Sequence, residues 1–229
     1  RAGFFCHVSS ASGFNFLNNV TSKALLSSTY FGPVQWYQKL YRYDCTWVER
    51  YDNFMKQTYR NRCLIATTNG VQALTVPVER STTENGKCIM KDLRISDHGN
   101  WRHIHWNALL SAYNESPFFE YYADDIRPFF ERKWTFLYDF NTEICAKMCE
   151  LLDIEPVIKP TDSYIPADDS RLNCVADLRD AIRPKHPLPD DTFTPQRYYQ
   201  VYEQRWGFLP NLSVLDLLFN MGNESVLYL

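Results

Sequence analysis

Between residues 24 and 49 the sequence passes from a short apolar stretch through a turn and a helical pattern into a second β-prone stretch. Few architectures accommodate that order. Residues 24–29 (Ala-Leu-Leu-Ser-Ser-Thr) suit a strand that stops at Gly32-Pro33, because glycine and proline punctuate a turn there. Val34, Tyr37, Leu40 and Tyr41 then fall at helical spacing. Residues 45–49 (Cys-Thr-Trp-Val-Glu) are β-branched and aromatic, which suits a second strand. Strand, helix and strand within about 30 residues is the size of a βαβ unit, the connection that parallel strands need. The expected class is therefore α/β, with a βαβ start that by analogy is Rossmann/HUP-like, a mixed sheet, an antiparallel hairpin extension and covering helices.

The extension is expected over 63–96. Residues 63–67 and 73–78 flank Asn69-Gly70, a hairpin signal because both central residues of a type I′ turn need positive φ. Pro77 puts the end of the second strand at an edge. Residues 88–96, with Ile89, Leu93 and Ile95 in partial alternation, read as a further strand. Trp101, Ile104, His105, Ala108, Leu109, Ala112 and Tyr113 form one continuous helical face, with Asn100 as its N-cap. Ser116-Pro117 opens an aromatic helix over 118–123 that Arg127-Pro128 interrupts, and 128–137 and 140–152 predict two more.

Eight of the twelve prolines lie at or beyond position 156. Residues 156–166 and 184–195 read as Pro/Asp-rich loops around a candidate helix at 169–182. That predicts an irregular surface excursion over about 156–195 rather than a second domain. A last apolar helix over 212–219 ends near Gly222, a suitable C′ residue. Residues 1–22 read as a loosely structured arm, and 23–229 as a single domain.

Composition narrows the function classes. The aromatic content is 16%, enough to supply much of a core or to line a cleft for a flat ligand such as a sugar or base. A net charge of -3 argues against general nucleic-acid binding. Seven scattered cysteines without short paired spacings point to a reducing, cytoplasmic compartment, where the four Asn-x-Ser/Thr matches are coincidental. The start lacks the regions of a signal peptide, and no apolar run reaches transmembrane length. Gly-x-Gly-x-x-Gly, a Walker lysine loop, Gly-x-Ser-x-Gly and His-Glu-x-x-His are all missing, so no cofactor is implied.

Two stretches concentrate chemistry. Residues 56–62 bring Lys56, Arg60 and Arg62 together with Tyr59 and Asn61. If extended, the two guanidiniums point one way and could grip a phosphate or carboxylate; the plain alternative is a solvated basic edge. Residues 97–105 hold three of the five histidines. His103 and His105 diverge by about 200° on a helix, which argues against a metal site, and His105 lies on the apolar face. His98 beside Asp97, in a glycine-bearing loop, is the better general acid/base candidate. Cys145 and Cys149, one helical turn apart, read as small core residues.

Several blocks, in order, resemble the WbqC-like protein family. They are Tyr30-Phe31-Gly32-Pro33, residues 56–62, Leu74-Thr75-Val76-Pro77-Val78, residues 95–101, residues 111–119 and residues 211–220. The resemblance runs from about Ala24 to the C-terminus and is strongest to short forms common in Bacteroides. It implies a bacterial enzyme of polysaccharide and O-antigen biosynthesis acting on a nucleotide-linked or amino sugar, with acyl or aminoacyl transfer as one such reaction. Ser28-Thr29 stand where many members have Gln-Pro, and 160–195 lacks the Tyr-Leu-Ser-Gly segment of longer members.

On that resemblance Lys56, Arg60 and Arg62 bind an anionic group, Tyr30, Tyr59 and Trp101 flank the ligand, and His98 with Asp97 moves a proton. The partner is then a small-molecule sugar or acyl donor. The geometry demanded is Arg60 or Arg62 in one cleft with Asp97-His98 and the Tyr30-Phe31 turn. A non-catalytic scaffold of a polysaccharide assembly complex would instead keep 56–62 and 97–103 apart, each satisfied by salt bridges. A zinc hydrolase is a third reading.

Overall fold

A computed structural model describes residues 22–79 and 88–229. The arm expected at 1–22 therefore lies, but for Ser22, outside the described residues. The architecture is mixed α/β, with a four-stranded parallel sheet, a separate antiparallel pair and helices. The expected βαβ unit forms from β1 (Lys23–Ser27), α1 (Val34–Arg42) and β2 (Cys45–Glu49). β1 and β2 pair in parallel with Leu25 opposite Trp47. Ala24, Leu25 and Leu26 are all buried without alternation, the pattern of a parallel strand covered on both faces. Pro33 precedes α1 in extended backbone, and Lys39 and Arg42 occupy its last turn, where cations complement the helix dipole.

The proline-rich excursion corrects an expectation. No helix spans 169–182; a 3-10 turn at Ser170–Leu172 leads instead into a strand, Val175–Asp177. The Asp169 carboxylate accepts the Arg171 N–H and tightens that turn, and the following residues gain a backbone ladder against β1. Together with Ile158–Pro160, this stretch supplies both edges of the parallel sheet. Hairpin strands β3 (Arg62–Thr67) and β4 (Gly70–Thr75) come earlier in the chain, so these edges are β5 and β6, and the order is β5-β2-β1-β6. Pro160 sits on an edge strand, the position in a sheet that tolerates a missing donor.

The hairpin also differs in detail. Thr67 pairs with Gly70, so Thr68 and Asn69 form the loop, and the positive φ falls on Gly70 at 95° rather than on Asn69. Nor does the hairpin extend the main sheet, because β3 and β4 pair only with each other among the described residues. Residues 88–96 are not a strand. Met90–Asp92 is a 3-10 turn, and single bridges tie Ile89 to Asn53, Ile95 to Val78 and Arg94 to Phe136. One segment thus fastens three neighbours, which a continuous ladder to one partner would prevent.

The helices are α2 (Trp101–Tyr113), α3 (Phe119–Ile126), α4 (Pro128–Glu131), α5 (Leu137–Leu151), α6 (Glu203–Trp206) and α7 (Val214–Met221). Asn100 is left-handed with φ 47° and makes no capping bond, contrary to its expected role. The helix expected over 128–137 stops at Glu131, since Thr135 and Phe136 are drawn into backbone pairing with Ile95 and Arg94. The aromatic residues build the core: Phe31 stacks on Phe130, Trp134 lies 5.1 Å from Phe140, and Trp101 meets His105 edge-on. Cys145 and Cys149 are buried, as read from their spacing. The α7 end is tied back to the first turn, with the Val34 N–H donating to the Leu212 carbonyl and the Ser213 hydroxyl to the Phe31 carbonyl.

Candidate functional site

β1, β2 and β6 end at Ser27, Glu49 and Asp177, on one side of the sheet because all run parallel. Just beyond these ends lies a cleft of ≈ 260 Å³ lined by Asp52, Arg60, Tyr164, Asp177, Arg179 and Arg183, among others. Open parallel sheets bind ligands outside the carboxyl ends of their strands, because the chain there turns away in loops that can vary without disturbing the sheet.

Charge is packed here at high density. Arg60 and Asp52 are both buried and ion-paired; the Arg60 Nε donates to Asp52 Oδ2 at 3.1 Å, and its Nη2 donates to the Ser27 hydroxyl at 2.8 Å. Burial raises the Asp52 carboxyl above its usual range, and the Arg60 charge pulls it part of the way back. Asp52 Oδ1 is buried with no hydrogen-bond partner. Glu49, fully buried, accepts from the Thr161 hydroxyl at 2.7 Å and from the Tyr51 and Ile165 N–H groups. Arg179 grips Asp177 through Nε at 2.9 Å and Nη2 at 2.6 Å, and turns Nη1 toward the Ile165 carbonyl at 2.8 Å and Glu49. Arg183 pairs with Asp180, while its Nε is buried and unpartnered.

Of the residues singled out in the sequence, Arg60 alone lines this cleft. Lys56 is exposed, and Arg62 donates to the Thr75 hydroxyl across the hairpin at 3.0 Å. Asn61 is buried and donates to the Val76 carbonyl. Tyr59 is buried, which pushes its phenol up to about 12. Tyr30 is fully buried, with its hydroxyl 2.9 Å from His105 Nδ1. Trp101, also buried, donates its indole N–H to the Ser96 carbonyl at 3.0 Å. The rings of Tyr30 and Trp101 pack within the core and have no surface to offer a ligand.

Asp97 and His98 lie elsewhere. The Asp97 oxygens meet Arg102 at 2.7 Å and Lys133 at 3.0 Å, and the Arg102 and Lys133 bonds lower its pKa. Those two cations line a second cleft with His103, Trp106 and Arg127, which shares no lining residue with the first. Asp52, Glu49, Asp177, Arg179 and Arg183 escaped the sequence reading. The available signal was an acidic residue at or just past the end of a β-prone run, as in Glu49 to Asp52. Among the described residues, no group of three or more His, Cys, Asp or Glu side chains is placed to hold a metal ion. No helix among them is long and apolar enough to cross a membrane.

The sequence pattern of the WbqC-like protein family matches residues 28–188. The chain belongs to that family. The match takes in β2, the hairpin, α2 to α5 and both edge strands, and so all the residues named at the carboxyl edge except Ser27. An uncharacterized protein of Mycobacterium tuberculosis is 30% identical over 195 residues, covering 77% of this chain and 83% of that protein. No solved structure matches the chain.

Proposed function

We propose that this WbqC-like protein is a cytoplasmic enzyme of bacterial polysaccharide or O-antigen biosynthesis. It acts on a nucleotide-linked or amino sugar, by acyl or aminoacyl transfer, in the cleft at the carboxyl edge of the parallel sheet. The observation that carries this reading is the buried Asp52–Arg60 pair lining that cleft, with one Asp52 oxygen left without a partner. A desolvated carboxyl group can take a proton from an attacking hydroxyl or amine, and a raised pKa brings it nearer the pH of that task. Arg183, with an unpartnered Nε at the same cleft, is the group we assign to a phosphate or carboxylate of the donor. The strand order β5-β2-β1-β6 is compatible with a Rossmann/HUP-like ligand crevice, and this part of the proposal is analogy of fold.

In this account Tyr30, Tyr59, Asn61 and Trp101 hold the scaffold on which Arg60 is set, and Asp97-His98 is a separate surface feature. A thermal-shift screen with sugar nucleotides, acyl-coenzyme donors and free amino sugars tests it. At least one class should raise the melting temperature of the wild type and not that of Arg183→Ala. Equal shifts in both proteins, or no shift with any class, reject the assignment.

A specific observation favours a second reading, a non-catalytic scaffold. Arg60, Arg179 and Arg183 all have acidic partners, so the carboxyl edge could be held together by its own charges. Retention of polysaccharide assembly by an Asp52→Asn protein would support that reading over the enzyme.

A further inference from the structure

A third cleft, of ≈ 590 Å³, lies where α3 meets the end of α7, and it has a different chemistry from the other two. Its walls carry the rings of Phe118, Tyr121, Tyr122 and Tyr199, and its polar groups are Asn220, Asn223 and Glu224. Tyr121 and Tyr199 are 73% and 52% exposed, large apolar faces left in water. The wall beneath them is built rather than incidental. The Phe118 N–H donates to the Phe219 carbonyl at 3.0 Å, and the Phe118 ring lies so close over Gly222 that a Cβ there would stand 2.7 Å from it. Gly222 also has φ 57°, a conformation that glycine adopts without strain. Tyr122 is buried and donates its hydroxyl to Asn223 Oδ1 at 2.9 Å, which fixes both.

Asn220 supplies the independent sign of a ligand. It is 3% exposed, its Nδ2 donates to the Asp216 carbonyl at 2.7 Å, and its Oδ1 is buried with no partner although the residue lines the cleft. An enclosed acceptor with no partner is costly, and a small movement of this side chain at the lining of the cleft would bring it a donor.

We propose that this cleft is a carbohydrate subsite for one pyranose ring of a neutral saccharide. Exposed tyrosine faces match the flat, C–H-bearing face of a sugar, while an amide and a carboxylate at the rim match its hydroxyl donors. A purely apolar partner would leave Asn220 and Glu224 unpaired. A phosphate would meet the Glu224 carboxylate with like charge, so the ring bound is not anionic. The subsite is separate from the carboxyl-edge cleft, shares no lining residue with it and does not depend on the reaction assigned there.

Calorimetric titration with maltose, cellobiose and N,N′-diacetylchitobiose tests the inference, using the wild type, Tyr121→Ala, Tyr199→Ala and Asn220→Ala. Tyr121 and Tyr199 are exposed enough that their variants should fold, which melting curves check. At least one saccharide should bind the wild type, with each tyrosine variant about tenfold weaker, equivalent to ~1.4 kcal/mol. Unchanged binding in both tyrosine variants, or no binding of any of the three sugars, overturns the proposal. So does a concentration-dependent dimer abolished by Tyr121→Ala in a protein that binds none of them, because the patch is then an interface between copies. Absence of saccharide binding by the wild type, with the Arg183→Ala thermal-shift difference intact, would reject this subsite and leave the carboxyl-edge reading standing.

Discussion

Arg60 closes on Asp52 from eight residues further along the chain, with the guanidinium Nε 3.1 Å from the carboxylate and both side chains buried. This pair stands at the carboxyl edge of the sheet, between the end of β2 and the start of β3. It joins a basic stretch that could have been a solvated edge to an acid just past the end of β2.

Removing one partner of such a pair leaves the other charge buried alone. Arg60→Ala is therefore expected to cost about 3–5 kcal/mol of stability in urea unfolding. Arg62→Ala, which loses only an exposed bond to Thr75, should cost less than about 1 kcal/mol. Similar costs for the two variants would mean that Arg60 is solvated.

Two buried groups pull the pH dependence of stability in opposite directions. Burial raises the Asp216 carboxyl to about 6, although Tyr198, Tyr113 and Gln200 all donate to it. Its folded form holds a proton more tightly than the unfolded chain, so stability falls as pH rises from about 4 to about 6. Burial lowers His105 to about 4, so its contribution is lost as pH falls from about 6.5 toward 4. Each shift corresponds to roughly 3 kcal/mol, and the wild type should be nearly flat across this window. Asp216→Asn removes one opposing effect and leaves that of His105 against the rise at Asp52, for which Arg60 partly compensates. Its urea midpoint should climb from pH 4.5 to pH 6.5, and a flat profile would refute the assignment.

Gly222→Ala should destabilise by about 2 kcal/mol or more, because the added Cβ meets the Phe118 ring in a backbone conformation that alanine avoids. Thermal unfolding measures it, and Gly99→Ala provides the comparison. That position also has positive φ but no neighbour within 4 Å, so its loss should be smaller.

The excursion is held by Thr161, whose hydroxyl donates to the buried Glu49 carboxylate. Thr161→Val should cost about 1–3 kcal/mol by leaving that carboxylate short of a donor. It should also speed proteolytic cleavage within 160–175. Unaltered cleavage would show that the β5 and β6 ladders alone hold the segment.

What could be read beforehand follows physical lines. β1, α1, β2 and α2 stand almost where the sequence predicts because turn residues and helical spacing mark them locally, although Ile104 of the expected α2 face is exposed. The three-residue strands β5 and β6 are too short to show alternation, and their existence depends on partners more than 100 residues earlier. Residues 88–96 look strand-like because Leu93 and Ile95 are buried two residues apart, but Ile89, Arg94 and Ile95 each bridge a different neighbour and Ile89 is exposed. The separation of Asp97-His98 from Arg60 has the same cause. Asp97 and His98 are conspicuous together in sequence, whereas Asp52, Arg60, Arg179 and Arg183 converge only once the parallel strands align. The resemblance sets Tyr30 and Trp101 beside a ligand, whereas both pack in the core; aromatic residues suit cores and clefts alike.

Hydrogen–deuterium exchange with the strongest stabiliser from the ligand screen tests the central claim most directly. The account predicts slowed exchange in peptides covering 49–60 and 177–183, around the Asp52–Arg60 pair and Arg183. Slowed exchange confined to 97–106, with the carboxyl edge unchanged, would contradict it.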